Sequence, residues 1–304
     1  MSRIIRGAAV LAAAVLALAA CGGGGDDDPL GGGSGGGGGA VVIGGADFPE
    51  SGLIGEIYAQ ALEAKGVKVQ RKFGIGSREV YMKQVRSGAI QVFPEYNGAL
   101  LSFLDKNDAA TTSDAVDAAL KQKLPADLTI LNPAQAEDKD TLAVTAATAA
   151  KYKLKTIEDL KPVAGQLVLG GPPEFKTRKQ GVVGLQSVYG LTFKDFKSLD
   201  TAGPISVANL KDGKVQIANL FSTDPAIKKN GFLSLTDPKN VFGAQNVVPL
   251  INKTKVDTNA QAALNAVSAK LTTDGLLAMN TEMADKKADP ATVAKKWLTD
   301  NGLI

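Results

Sequence analysis

From Val41 to the C-terminus, apolar runs of strand length alternate with stretches in which apolar residues recur at helical spacing. That alternation restricts the chain to α/β architectures, in which helices pack back over sheets. Val41-Val42-Ile43 ahead of Gly44-Gly45 predicts a buried strand and a turn. From about Glu50, the residues Leu53, Ile54, Ile57, Tyr58, Ala61 and Leu62 form one helical stripe that Gly66 ends. Residues 67–73 predict a half-exposed strand, Gly74-Ile75-Gly76-Ser77 a turn, residues 78–87 a short helix and residues 90–93 another strand. A helix carrying Leu100, Leu101, Phe103 and Leu104 follows Pro94, and Ser113 can cap one more. The rhythm continues with strands at 141–144, 167–169, 215–221 and 247–251, a helix opening at Thr156 and another over 180–189. Near the end, Ala260, Leu264, Val267 and Leu271 share a stripe, and Asp289-Pro290 reads as a cap with proline at the first helical position.

The residues ahead of this body serve another purpose. Arg3 and Arg6 precede an apolar stretch from Ala8 to Ala20, which has the length of a secretory signal core and is short for a membrane span. Leu18-Ala19-Ala20-Cys21 resembles the lipobox of bacterial lipoproteins, which implies a lipid on Cys21 and an extracytoplasmic body anchored to the cell membrane. Residues 22–39 hold twelve glycines with Asp26, Asp27, Asp28 and Pro29, leaving little to bury and much backbone entropy to lose. Residues 1–20 therefore read as a signal peptide and residues 21–39 as a tether.

With 304 residues, 44% hydrophobic and 21% charged, the chain can build two cored lobes. No second glycine-rich linker interrupts the body, so two lobes would be joined by crossing strands. The expected division is 40–143 plus 245–304 for lobe 1 and 144–244 for an inserted lobe 2. Histidine is absent and Cys21 is the only cysteine, which removes Ser-His-Asp and Cys-His nucleophiles and histidine- or thiolate-based metal sites. No catalytic residue, metal or cofactor is expected. A formal charge of +3, without a basic run interleaved with aromatics, excludes the usual electrostatic footprint of a nucleic-acid binder.

Three clusters lie where predicted strands give way to loops or helices: Asp47-Phe48-Pro49-Glu50-Ser51, Ser77 and Arg78 with Phe93-Pro94-Glu95-Tyr96-Asn97-Gly98, and Phe221-Ser222-Thr223-Asp224-Pro225. In open α/β sheets that edge binds ligands. Helix N-termini there suit a carboxylate, whereas Tyr96 and Phe221 offer aromatic faces to a cation that has no hydrogen to donate. A zwitterion would use both. Each residue also has a structural reading: Ser77, Glu95 and Asp224 as helix caps, Tyr96 and Phe221 as core edges. A competing functional reading is a hydrolase that uses paired carboxylates such as Glu95 and Asp224.

The segments FPESGLIGEIYAQAL, GSREVYMKQVRSGAIQVFPEYNGALLSFL, DTLAVT, TIEDL, FSTDPAI, LTDPKNVFGAQNVVPLI and DPATVAKKWLTDNGLI resemble, in order and spacing, the substrate-binding proteins of osmoprotectant ABC importers. The resemblance implies a periplasmic-binding-protein fold, two α/β lobes joined by crossing hinge strands with the ligand cleft between them. It implies no enzyme but a lipid-anchored receptor for a quaternary-ammonium or zwitterionic solute of the glycine betaine, choline or carnitine class. Its partners would be that small molecule, an ABC permease with its ATPase, and the membrane through Cys21. A different cationic or amino-acid-derived solute on the same fold is the alternative.

In that family aromatic side chains cage the cation. Tyr96 and Phe221 fall on two cage positions, while two more fall on Asp140 and near Val182, so Phe48, Phe242 or Asp140 would have to substitute. The further ligand-binding candidates are Ser51, Ser77, Asn97, Asp140, Thr141, Arg178, Thr223 and Asp224.

Overall fold

The structure is a computed structural model that describes residues 39–304. Cys21, the residues 1–20 read above as a signal peptide and nearly all of the residues 21–39 read as a tether lie outside the described residues. The chain opens with β1 (Val41–Gly44), α1 (Pro49–Glu63), β2 (Val69–Lys72), α2 (Arg78–Arg86), β3 (Val92–Tyr96), α3 (Asn97–Leu104), α4 (Ser113–Lys123) and β4 (Leu128–Ile130). It then crosses into β5 (Asp140–Thr145), α5 (Ala146–Tyr152), β6 (Val168–Gly171), α6 (Val182–Tyr189), β7 (Asp195–Ser198), α7 (Pro204–Lys211), β8 (Ile217–Phe221), α8 (Pro225–Lys229) and β9 (Phe232–Leu235). The return brings β10 (Val247–Asn252), α9 (Thr258–Lys270), α10 (Thr273–Lys286) and α11 (Pro290–Asp300).

Two five-stranded mixed sheets result, with orders β2-β1-β3-β10-β4 and β7-β6-β8-β5-β9. Each has a parallel trio joined to an antiparallel strand that comes from the crossing chain, β10 in one and β5 in the other. This is the two-lobed α/β arrangement implied by the resemblance. Alternate side chains feed opposite faces of a sheet, and both faces are covered. In β1, Val41 and Ile43 enter the core shared with α1, α9 and α11, whereas Val42 faces the core with Met82, Phe93 and Leu120. The second sheet repeats this with one core around Leu142, Leu169 and Phe175 and another around Ala143, Ala218 and Leu220.

Two segments cross between the sheets side by side, with Glu137 bridged antiparallel to Asn246 and the Asp138 N–H donating to the Gln245 carbonyl at 3.1 Å. The crossover expected near residue 143 falls inside β5, which already belongs to the second sheet from Asp140. Both crossing segments are extended, so composition does not mark where one sheet ends.

β3 runs on through Pro94 to Tyr96, three residues past the expected end. Its register with β1 is limited to Ile43 opposite Val92, so no β1 ladder continues at Pro94 to require its missing N–H. At Thr156 a capping box with Asp159 starts a short 3₁₀ turn rather than an α-helix. The turn before α2 uses Gly76 at φ +101°, a conformation that suits glycine. Among the described residues, no helix is long and apolar enough to cross a membrane.

Candidate functional site

The C-terminal ends of β1, β3, β6 and β8 meet at one cleft between the sheets, the edge where open α/β sheets bind ligands. Its cavity volume is about 80 Å³, and Phe48, Ser77 and Tyr96 line it from the first lobe, Arg178 and Phe221 from the second, and Asp140 from the start of β5. Residues as far apart in the chain as Ala46 and Gln245 thus share one cavity.

Three of these supply rings. Phe48 is the extended residue just before α1, where Pro49 sets the first helical turn. Its ring lies 6.2 Å from that of Tyr96 and 5.4 Å from that of Phe221, with interplanar angles of 33° and 47°. The result is a continuous aromatic wall drawn from both lobes. The Tyr96 hydroxyl is held by Glu50, to whose Oε1 it donates at 2.6 Å. Phe242 adds no ring to the cleft: it is buried in the second lobe with its centroid 6.4 Å from Phe175. Val182 packs against the same core.

The polar rim is built from ion pairs. Arg78 is buried and grips Glu95 with Nε at 3.0 Å and Nη2 at 2.8 Å, while the Tyr81 hydroxyl donates to the same carboxylate at 2.8 Å. Burial disfavours the charge on Arg78, but the Glu95 carboxylate outweighs it and holds the guanidinium above its usual range. Across the cleft, Arg178 donates to both oxygens of Glu79, at 3.1 and 2.9 Å. Burial resists ionisation of Glu79, yet these bonds overcome it and bring its carboxyl down to about 2. Asp140 accepts from the Asn219 amide at 2.8 Å, and burial pushes its carboxyl up.

Five sequence candidates sit outside the cleft wall. The Ser51 hydroxyl accepts from the Ala46 N–H at 2.8 Å and ties down the loop after β1. Asn97 is fully buried; its amide donates to Asp117 at 2.8 Å, and its oxygen accepts from the N–H groups of Gly98 and Asn246. Thr141 is buried within β5, in register with Leu220. Thr223 and Asp224 line a neighbouring cavity instead: Thr223 donates to Glu50, and Asp224 caps α8 by accepting from the Ala226 N–H at 2.8 Å. Glu95 and Asp224, the carboxylates of the hydrolase reading, are therefore committed to separate structural duties.

Sequence reasoning passed over Glu50 and Asp138 as site residues. Glu50 is buried at the start of α1 and accepts from Tyr96, Thr223 and Asn280. Asp138, on the crossing segment, accepts from the Thr223 N–H at 3.0 Å. Burial raises the pKa of both, and for Asp138 the neighbouring Glu50 charge raises it further. Glu50 was visible within Phe48-Pro49-Glu50-Ser51, but no sequence signal placed it against Thr223 on the loop after β8 and Asn280 on α10.

Residues 39–300 match the family described as "Substrate binding domain of ABC-type glycine betaine transport system". The chain is 30% identical over 268 residues to the glycine betaine-binding protein YehZ of Escherichia coli (strain K12), covering 83% of this chain and 88% of that one. It is 26% identical over 276 residues to a glycine-betaine-binding protein of Pseudomonas aeruginosa, covering 86% and 88% of the two chains. A solved structure described as a glycine betaine/carnitine/choline ABC transporter superposes with a TM-score of 0.67 over 86% of this chain and 99% of its own, at 23% identity. With this fold and this match over nearly all of the body, the chain belongs to the substrate-binding domain family of ABC-type glycine betaine transport systems.

Proposed function

We propose that this protein is an extracytoplasmic receptor that takes a small quaternary-ammonium or zwitterionic solute of the glycine betaine, choline or carnitine class into the cleft. It releases the solute chemically unchanged to a permease driven by a separate ATPase. The observation that carries this reading is the wall of Phe48, Tyr96 and Phe221, contributed by both lobes at one cavity. A trimethylammonium head has no N–H to donate and is stabilised by ring faces, at about 0.5 to 2 kcal/mol per contact. Asp140 adds a carboxyl at the place of one family ring, and the N-terminus of α2 with Arg178 suits the carboxylate of a zwitterion.

The ligand favours the closed state by touching both lobes, a population shift rather than a new fold. Contacts that span the lobes around the cleft include Arg178 with Glu79, Thr223 with Glu50 and the rings of Phe48 and Phe221. With two family ring positions not aromatic, affinity for a betaine falls by about one to three orders of magnitude relative to a full cage. In this proposal the lipid on Cys21 and the glycine-rich tether keep the body at the membrane.

Calorimetry of the purified protein against glycine betaine, choline, carnitine and proline betaine tests the assignment. Saturable one-to-one heat with at least one of them is expected. Silence with all four overturns the quaternary-ammonium reading.

A further inference from the structure

Glu50 stands in the first turn of α1 and Asp138 on the segment that crosses between the sheets, and each is 5% exposed. One residue of the second lobe bonds to both. Thr223 donates its hydroxyl to Glu50 Oε2 at 2.5 Å and its N–H to Asp138 Oδ1 at 3.0 Å. The two carboxyls also lie within hydrogen-bond reach of each other. An ionised carboxyl accepts only, so a bond between the two requires a proton on one of them.

Their neighbours decide where that proton sits. Glu50 accepts from three neutral donors, the Tyr96 and Thr223 hydroxyls and the Asn280 amide. Asp138 has two, the Thr223 N–H and the Ser222 hydroxyl at 3.3 Å, and both reach Oδ1. Oδ2 is left to carry the proton, with Glu50 as its acceptor. Among the described residues, neither carboxyl forms an ion pair with a lysine or arginine. Burial therefore pushes both carboxyls up, and the Glu50 charge pushes Asp138 further.

Other groups that face the pair are Tyr96 from β3 and Asp224 from the start of α8, while α10 faces it with Asn280, Met283 and Ala284. Lys139, beside Asp138, is paired with Glu137 at 3.1 Å. On the cleft side Asp138 shares a cavity with Asp47, Asp140 and Glu174, and with Arg78 and Arg178, whose charges are held by Glu95 and Glu79.

Building on the receptor reading, we propose that Glu50 and Asp138 form a proton-dependent latch: closure over the solute takes up one proton from water, which Asp138 donates to Glu50, and Glu50 so held positions the Tyr96 ring. When the lobes part, Thr223 leaves Glu50 and water reaches both carboxyls. Each then returns toward its ordinary value of about 4, and at neutral pH the proton departs. The closed state has the raised values, so its advantage is complete below about pH 4 and lost as pH rises through the pair's raised range. Solute affinity accordingly falls with rising pH, by up to about tenfold per unit where the dependence is steepest.

The test is calorimetric titration of the purified protein with choline and with glycine betaine across the range from pH 5 to pH 8, at each pH in two buffers of different ionisation heat, so that the difference counts protons. Neither solute titrates in that range. Expected are uptake approaching one proton per solute bound and a Kd at least about tenfold weaker at pH 8 than at pH 5. Asp138→Asn presents an N–H where the protonated acid presents an O–H, and should abolish the uptake and hold Kd within about threefold across the series. Asp224→Asn, which removes the neighbouring carboxyl, should keep the uptake. No uptake in the parent, uptake that persists in Asp138→Asn, or uptake that vanishes in Asp224→Asn each overturns the proposal. Small-angle scattering without solute reads closure separately, and the radius of gyration should be smaller at pH 5 than at pH 8 in the parent and constant in Asp138→Asn. A silent titration with a pH-dependent radius strikes the solute assignment and leaves the latch, whereas a silent titration with a constant radius overturns the latch too.

Discussion

The Thr223 hydroxyl, on the loop after β8 in the second lobe, donates a 2.5 Å hydrogen bond to Glu50 Oε2 in the first turn of α1 in the first lobe. Thr223 is 1% exposed and Glu50 5%, so water does not compete for this bond. It joins the two walls that carry Phe48 and Phe221, each of which stands one residue removed from a member of the bonded pair, across Pro49 and Ser222.

Thr223→Val keeps the shape and removes the donor. Glu50 then relies on Tyr96 and Asn280, and the closed arrangement loses a buried bond to an acidic group, about 1.5 to 3 kcal/mol. Solute affinity is expected to drop about 10- to 150-fold. Small-angle scattering of the solute-bound variant at equal occupancy should show a larger radius of gyration than the parent. Unaltered affinity refutes a role for this bond in closure.

Phe221 is half-buried at the end of β8, so truncation removes a ring face with limited loss of core. Phe221→Ala should weaken quaternary-ammonium binding by about tenfold, in line with one cation–π contact. Calorimetry with glycine betaine or choline reads the change, and a full retention of affinity places the cation elsewhere.

The Arg178–Glu79 pair is partly exposed, with side chains 30% and 42% accessible, so its net value is about 0 to 1 kcal/mol and falls with salt. If Arg178 acts only as this bridge, Arg178→Gln lowers affinity less than about fivefold and removes the salt dependence of binding. A loss beyond about a hundredfold means that the guanidinium grips the solute carboxylate itself.

Asp224 is pushed up to about 6, chiefly by burial, against an ordinary value of 3.8. Between these values the folded protein holds a proton that the unfolded chain has released, so this group's stabilisation is complete below about pH 4 and lost as pH rises toward 6. Asp224→Asn cannot titrate. Urea midpoints at pH 4, 5, 6 and 7 should therefore rise for the variant relative to the parent as pH increases. A constant difference across that series disproves the shift.

Gly98 abuts the crossing strand: a Cβ at this position would lie 2.1 Å from the Ala244 carbonyl oxygen. Backbone cannot yield as a flexible side chain does, so Gly98→Ala should destabilise by about 3 kcal/mol or more, read from urea melts. Wild-type stability would show that α3 can draw back from the crossing segment.

Much of the fold was legible because strand and helix periodicities are local. The stripes of α1, α9 and α11 were visible for that reason, and so was the strand that became β8. Short β4, β7 and β9 were not: with three or four residues each, and polar residues in Asp195-Phe196-Lys197-Ser198, their ladders exist through pairing partners supplied by the other strands. Asn97 shows the same limit at the site. A polar residue after Tyr96 looks equally like a ligand contact or a buried strut, and only the positions of Asp117 and Asn246 decide that its amide is already satisfied.

The order of the residues by itself determined that strands and helices alternate, that rings stand at Phe48, Tyr96 and Phe221, and that no histidine is available. Side-chain spacing along one chain is enough for those statements. Only the tertiary structure decided that the three rings meet, that Phe242 turns into a core, and that Glu50, Asp138 and Asp224 converge with no lysine or arginine paired to them among the described residues. Those outcomes depend on distances between residues far apart in the chain, which are set by how two sheets pack across their shared crossing strands.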